Sequence, residues 1–270
     1  PTAVDEAKWG FAVIENSLWT ALPEFLREFD SSVKDKFGIE LPPEFCPIKF
    51  ASWMGGDRDG NPNVTASLTQ EVLSLSRWMA ADLYLRDIRD LINELSMWDC
   101  SSELRSEADV LLKGQSKNQN EPYRVILSNL RKRLLRTRDW AAHRAAGEEF
   151  EAEDALLENQ ELMQPLLLCY RSLTEKGLDS VANGLLLDTI RRVQCFGLEL
   201  VKLDIRQDSE RHLEVMSELT QHLGLGDFAT WAETEKQEFL INELSGKRPL
   251  LPRSWPMSDN VKEVLATCDV

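Results

Sequence analysis

Apolar positions recur at helical spacing along most of the chain. Over 4–29, Trp9, Val13, Ile14, Leu18 and Leu22 predict a helix, with Pro23 expected to kink or split it. Thr65 or Ser67 can cap the next helix, which runs to about 97 and carries a broad apolar face from Val72 to Leu95. Further helices are predicted over 101–113, 122–146, 158–176, 183–195, 209–223, 229–243 and 260–268, with Pro165 placed to bend the one over 158–176. A polar loop over 114–120, an acidic linker over 148–154 and a proline-rich connector, SGKRPLLPRSWP, separate them. Only two runs lose the helical period and read as strands, 48–54 and 198–205. The fold class is therefore mainly α. Two strands among so many helices leave unpaired edges and need partners.

Composition narrows the functional classes. The 270 residues allow one large domain or two small ones, and 43% hydrophobic with 29% charged residues can bury a sizeable core. A net charge of −15 argues against nucleic acid, whose binding leans on Lys and Arg against phosphate. A few local arginines can still build a site for a small anion. The five cysteines, Cys46, Cys100, Cys169, Cys195 and Cys268, form no CxxC pair, and an odd, dispersed set reads as buried thiols in a reducing compartment. No signal peptide opens the chain and no apolar run is long enough for a bilayer, so no membrane partner is expected and cytoplasm is the expected location.

The chemistry concentrates in residues 50–63, FASWMGGDRDGNPN. A short run of β-formers stops at Gly55-Gly56 and enters a charged loop, the way a buried strand delivers polar groups to a site. The glycines allow backbone to approach a ligand closely. Two familiar loop types fail here. Asp57-x-Asp59-x-Asn61 starts like a calcium loop, but Pro62 stands at the required glycine and Leu68 at the closing glutamate. No lysine follows Gly60, so the stretch is not a P-loop.

SWMGGDRDGNPNVTA resembles the glycine-rich signature of bacterial-type phosphoenolpyruvate carboxylases. LELVKLDIRQDSERH at 198–212, the opening DEAKWGFAVIENSLW and SGKRPLLPRSW resemble the same family, so the likeness covers essentially the whole chain. It implies a helix-rich, TIM-like β/α barrel to which this chain contributes two successive parallel strands, 48–54 and 198–205, with 65–196 as a helical insertion. It also implies a tetrameric, allosteric cytoplasmic lyase that carboxylates phosphoenolpyruvate with bicarbonate to oxaloacetate in anaplerotic carbon fixation. Mg²⁺ or Mn²⁺ would stabilise the enolate.

In such a barrel the site gathers at the carboxyl ends of the strands. There the resemblance places Trp53, Gly55, Gly56, Asp57 and Arg58 after the first strand, and Arg206 after the second. Arg206 offers a planar fork of donors that matches phosphate or carboxylate, and the resemblance gives it the substrate phosphate; the plainer reading is a structural ion pair, for example with Asp204. The resemblance gives Trp53 a water-excluding wall around the labile carboxyphosphate; the plainer reading is a core tryptophan. Asp57, Arg58 and Asp59 would position the substrate or lock the loop, or else cap turns and pair with acids. Glu243 and Arg248 could pair between subunits.

Arg131, Lys132, Arg133, Arg136, Arg138 and Arg144 crowd one predicted helix; they suit an anionic effector, or a solvated face paired with Glu148 to Asp154. His143 and His222 read as surface residues, and His212 follows the second signature. The family's general base lies in a TAHPT-type motif that this chain lacks, and its metal carboxylates and FHGRGG-like loop are expected on later strands. A chain that opens on Pro1 without methionine and lacks those motifs is expected to be an internal piece, inactive alone. The alternative is a stand-alone helical binding or assembly module without catalysis.

Overall fold

The computed structural model describes residues 2–58, 61, 63–113, 120–247, 249–252 and 254–270. The chain divides into two compact units, 1–54 with 71–203, and 55–70 with 204–270. It is mainly helical, as the apolar spacing predicts.

The first unit opens on α1 (Ala3–Val13), capped by a reciprocal pair: Thr2 Oγ1 accepts from the Asp5 amide and Asp5 Oδ2 accepts from the Thr2 amide. A π-helical turn, Ile14–Leu18, leads directly into α2 (Trp19–Phe37), which ends at Gly38 in the left-handed region. Pro23 does not end this helix, contrary to expectation; it is buried inside α2, and the helix continues well past 29. A proline has no N–H to give the carbonyl four residues back. That carbonyl, Trp19 O, instead accepts from Arg192 Nε at 2.7 Å. The same guanidinium pairs with Asp87 Oδ2 at 2.9 Å and lies over the Trp19 ring.

Asp87 stands on α3 (Ala66–Glu94), whose residues from Glu71 onward belong to the first unit. Tyr84 on α3 is fully buried and donates to the carbonyls of Arg192 and Gly197, at 3.2 and 3.0 Å. α4 (Ser102–Leu112) starts where a helix was predicted and is capped by Ser101, whose own amide donates to Ser172 Oγ. α5 (Pro122–Ala145) sends Tyr123 to the same Ser172 hydroxyl at 2.7 Å. Ser172 lies on α6 (Asn159–Glu175), where Glu161 closes the first turn by accepting from the amides of Leu157 and Glu158. α7 (Asp179–Val181), a second π-helical turn (Ala182–Leu186) and α8 (Leu187–Phe196) follow where one helix was predicted.

Both strands form, but far shorter than the predicted 48–54 and 198–205. β1 is Ala51–Ser52 and β2 is Lys202–Leu203, paired in parallel with Ala51 opposite Lys202. β-formers mark the candidate run, whereas strand length depends on a partner that keeps register. The approach to β2 needs a glycine: Gly197 has φ 59°, and a Cβ there would lie 2.7 Å from the Asn159 side chain. The thiol reading also needs correction. Cys46 and Cys195 form a disulfide across 149 residues, with Cα atoms 6.3 Å apart; Cys100 and Cys169 are buried free thiols and Cys268 is an exposed one.

The second unit contains α9 (Ser209–His222), a 3₁₀ turn (Phe228–Thr230), α10 (Glu233–Ser245) and α11 (Asp259–Cys268). Val215, Leu219, Trp255, Val261 and Val264 make its core. The proline-rich connector thus supplies Trp255 to the unit's own core. Phe228, Trp231 and Phe239 form a second aromatic cluster. No helix among the described residues is long and apolar enough to cross a membrane.

Two outcomes follow for stability. Asp87→Ala leaves the buried Arg192 guanidinium without its carboxylate and should cost about 3–5 kcal/mol, read by denaturant unfolding; a double change to Asp87→Leu with Arg192→Met should recover part of the loss. Glu161 is pushed up by partial burial, but hydrogen bonds from Arg133 and the Glu158 and Leu157 amides outweigh this and hold it at about 2. Its folded value lies below its unfolded one. Its contribution is therefore complete above the ordinary glutamate value and is lost as pH falls through about 2. Glu161→Gln should lower the thermal midpoint at neutral pH, and the gap to the parent chain should close toward pH 2.

Candidate functional site

The glycine turn of 50–63 lies in the second unit from Gly55 onward. Gly55 has φ 82°, a left-handed conformation that would strain any residue with a Cβ. Gly56 O accepts from the Arg206 amide at 2.9 Å, and Arg206 O accepts from the Arg58 amide at 3.0 Å. These bonds make a parallel bridge that sets Asp57 opposite Arg206. Segments some 150 residues apart in sequence are thereby fixed backbone to backbone, and their charged side chains emerge side by side. Arg206 is 54% exposed, and its Nη1 lies 3.9 Å from Asp57 Oδ2. The carboxylate beside this arginine is Asp57 and not Asp204. At that distance, and at that exposure, the pair is a loose one that contributes little stability.

Arg58 turns the other way. It is 7% exposed, donates to Thr69 Oγ1 at 2.6 Å and to Gly56 O at 3.3 Å, and among the described residues its Nε has no hydrogen-bond partner. Burial lowers its pKa, with the charge of Glu263 opposing. Thr69 is fully buried; its hydroxyl donates to Gly55 O at 2.7 Å while accepting from Arg58. Arg58 and Thr69 together grip both glycine carbonyls from behind the turn. Thr65 caps α3 by accepting from the Leu68 amide, and Glu263 accepts from the Ala66 amide, so the helix that presents Thr69 is fixed at its first turn. Thr69 was missed in the sequence because a threonine inside an amphipathic helix carries no signal of its own; only its place on the first turn after the glycine signature singles it out.

Trp53 belongs to the first unit and is 56% exposed. Within this chain it does not pack into a core. Asp59 and Arg248 lie outside the described residues, and Glu243 is half-buried on α10. His212 and His222 are exposed, the latter against the Trp255 ring, and His143 pairs with Glu148 and stacks on Phe150. The arginine-rich α5 is partly engaged: Lys132 meets Asp154 at 3.0 Å, Arg133 meets Glu161, and Arg138 meets Asp82 at 3.0 Å. Among the described residues no three His, Cys, Asp or Glu side chains converge as metal ligands.

Comparison with known proteins decides the family. The family model described as Phosphoenolpyruvate carboxylase matches residues 1–270. The chain belongs to the phosphoenolpyruvate carboxylase family. It is 59% identical over 270 residues to the phosphoenolpyruvate carboxylase of Hahella chejuensis, 58% over 270 residues to that of Marinobacter nauticus, and 54% over 271 residues to that of Escherichia coli O81. Each match takes in 100% of this chain and 30% of the relative, so the chain spans under a third of the length of these carboxylases.

In this family member the brace behind the glycine turn is open to a direct test. Thr69→Val removes an acceptor for a buried guanidinium and the donor to Gly55 O. It should destabilise the second unit by about 1–3 kcal/mol in denaturant melts, whereas Thr69→Ser should stay close to the parent.

Proposed function

We propose that this chain is the part of a phosphoenolpyruvate carboxylase that builds one wall of its anion site. The overall reaction is carboxylation of phosphoenolpyruvate by bicarbonate to oxaloacetate and phosphate. The observation that supports it is the bridge between Asp57 and Arg206, which sets an exposed guanidinium beside the glycine turn.

Phosphoenolpyruvate carries a phosphate and a carboxylate, both suited to two-point binding by a guanidinium. Arg206 holds the phosphate while a bicarbonate oxygen attacks phosphorus, giving carboxyphosphate and the enolate of pyruvate. Carboxyphosphate then releases carbon dioxide and phosphate, and the enolate carbon adds to carbon dioxide. Gly55 and Gly56 form the tight turn that sets Asp57 opposite Arg206, and Asp57 keeps Arg206 oriented when the site is empty. Arg58 keeps the turn in shape from inside. The exposed indole of Trp53 serves as an apolar wall that slows hydrolysis of carboxyphosphate. Mg²⁺ or Mn²⁺ would supply charge for the enolate; its carboxylates, like the base histidine, are assigned by family resemblance to the remainder of the enzyme. The parallel pairing of β1 and β2 supports two neighbouring strands of a β/α barrel, with the helices between them as an insertion. The complete enzyme is read as a cytoplasmic homotetramer, with Glu243 and Arg248 at a subunit contact.

Arg206→Ala in the complete enzyme should lower kcat/KM for phosphoenolpyruvate about 100-fold, close to 3 kcal/mol, with Arg206→Lys restoring only part. The 270-residue chain alone should form no oxaloacetate with metal, bicarbonate and substrate. An unchanged kcat/KM in Arg206→Ala would remove the phosphate role.

A further inference from the structure

Cys46 and Cys195 stand where the two strand approaches meet. Cys46 lies in the irregular segment 38–50 that leads into β1, and Cys195 in the last turn of α8, ahead of β2. That segment is held by two ring stacks, Phe45 on Phe29 with centroids 6.1 Å apart and Phe50 on Phe196 at 5.1 Å. The disulfide is the covalent tie beside the second stack. The strands it leads into pair over only two residues on each side, so their own ladder contributes little. Cys195 is buried but lines a cleft of about 220 Å³ with Lys49, Lys202 and Gln194. Cys46 is itself half-exposed.

We propose that Cys46 and Cys195 are a reversible redox staple that fixes the approach to β1 against the end of α8. In a reducing compartment a disulfide of this kind is a transient, signal-bearing bond. Closure needs an oxidant, here a peroxide. One thiolate attacks the peroxide oxygen, forming a sulfenic acid as the O–O bond breaks and water leaves. The second thiol attacks that sulfur and releases a second water. Two thiols and one hydrogen peroxide thus give one disulfide and two waters. Opening runs through attack by an external dithiol, a mixed disulfide and transfer of two electrons to the protein sulfurs. Cys100 and Cys169 are buried as separate thiols, and burial raises the Cys169 pKa to about 12, so neither competes for the oxidant. The staple does not depend on the catalytic reading, and its readouts do not use turnover.

The test uses the natural polypeptide that carries this sequence, purified reduced under nitrogen, treated with hydrogen peroxide, alkylated and digested without reductant. The expected product is one linked pair of peptides containing Cys46 and Cys195, lighter by two hydrogens than their sum and separated again by dithiothreitol under native conditions. Closing the bond should raise the thermal midpoint by about 5 °C and suppress proteolysis within 38–50. Cys46→Ser, at a half-exposed position that tolerates the change, should match the reduced parent and lose its response to peroxide. Separate alkylated or over-oxidised peptides carrying Cys46 and Cys195 would overturn the proposal, whereas the exposed Cys268 is alkylated or oxidised in either case. So would a bond that dithiothreitol cannot open in the folded protein, or a midpoint that peroxide moves equally in Cys46→Ser.

Discussion

The first unit is organised around one buried guanidinium. Arg192 supplies the donor that Pro23 cannot give to Trp19 O, pairs with Asp87 and covers the Trp19 ring. One side chain on α8 therefore satisfies α2, α3 and an indole at once. Remove it and a helix carbonyl loses its donor, while a carboxylate keeps only the Trp19 indole N–H and the Trp19 ring loses its cation. The arrangement is not a gain from charge pairing as such. Burial raises the Asp87 pKa against the pull of Arg192, which shows that desolvation of the carboxylate is the larger effect. What the pair secures is specificity: only a planar, multi-donor cation fits a carbonyl, a carboxylate and a ring from one position.

That constraint reaches the strands. Tyr84 on α3 donates to the carbonyls of Arg192 and Gly197, so the helix end that carries Arg192 is held where the chain turns toward β2. Asn159 takes the Leu198 amide at 2.6 Å, and Gly197 leaves room for it. Phe196 stacks on both Trp19 and Phe50, linking α2 to the approach to β1. A two-residue parallel ladder is too small to define its own register. Here the helices define it, and the ladder records the result.

Much of this was legible in the sequence, and the misses share one cause. Caps and apolar spacing located nearly every helix, because Ser101, Thr65 and the faces they introduce act within a turn or two of themselves. Arg192 looked like an ordinary charge on an amphipathic helix, since the carbonyl it serves is freed by a proline far away in the chain. Pro23 looked like a break because its missing donor was visible and the replacement was not. The π-helical turn Ile14–Leu18 shifts side chains by a fraction of a turn and leaves no residue signature, whereas 182–186 is kinked at Gly184, whose backbone leaves the helical region. The Cys46–Cys195 bond was hidden for the same reason: dispersed cysteines say nothing about which two meet.

The candidate site divides along the same line. Its words, GGDRDG and LDIRQ, were conspicuous, and Gly55 and Arg206 stand where those words suggested a turn and an exposed fork. The two arginines are alike in sequence and opposite in structure. Arg206 is exposed beside Asp57, while Arg58 is buried, with its donors spent on Gly56 O and Thr69. Their roles separate on solvation alone. A guanidinium that must receive a substrate anion has to reach solvent, and one that shapes the receiving turn has to be saturated by the protein. Arg58 nearly meets the second condition, with Nε the one position left over among the described residues. A buried donor without a partner is costly, so the turn is held under a polar constraint that apolar packing would not impose. This explains why the turn carries a second arginine at all: its glycines have no side chains to pack, so its shape must come from behind.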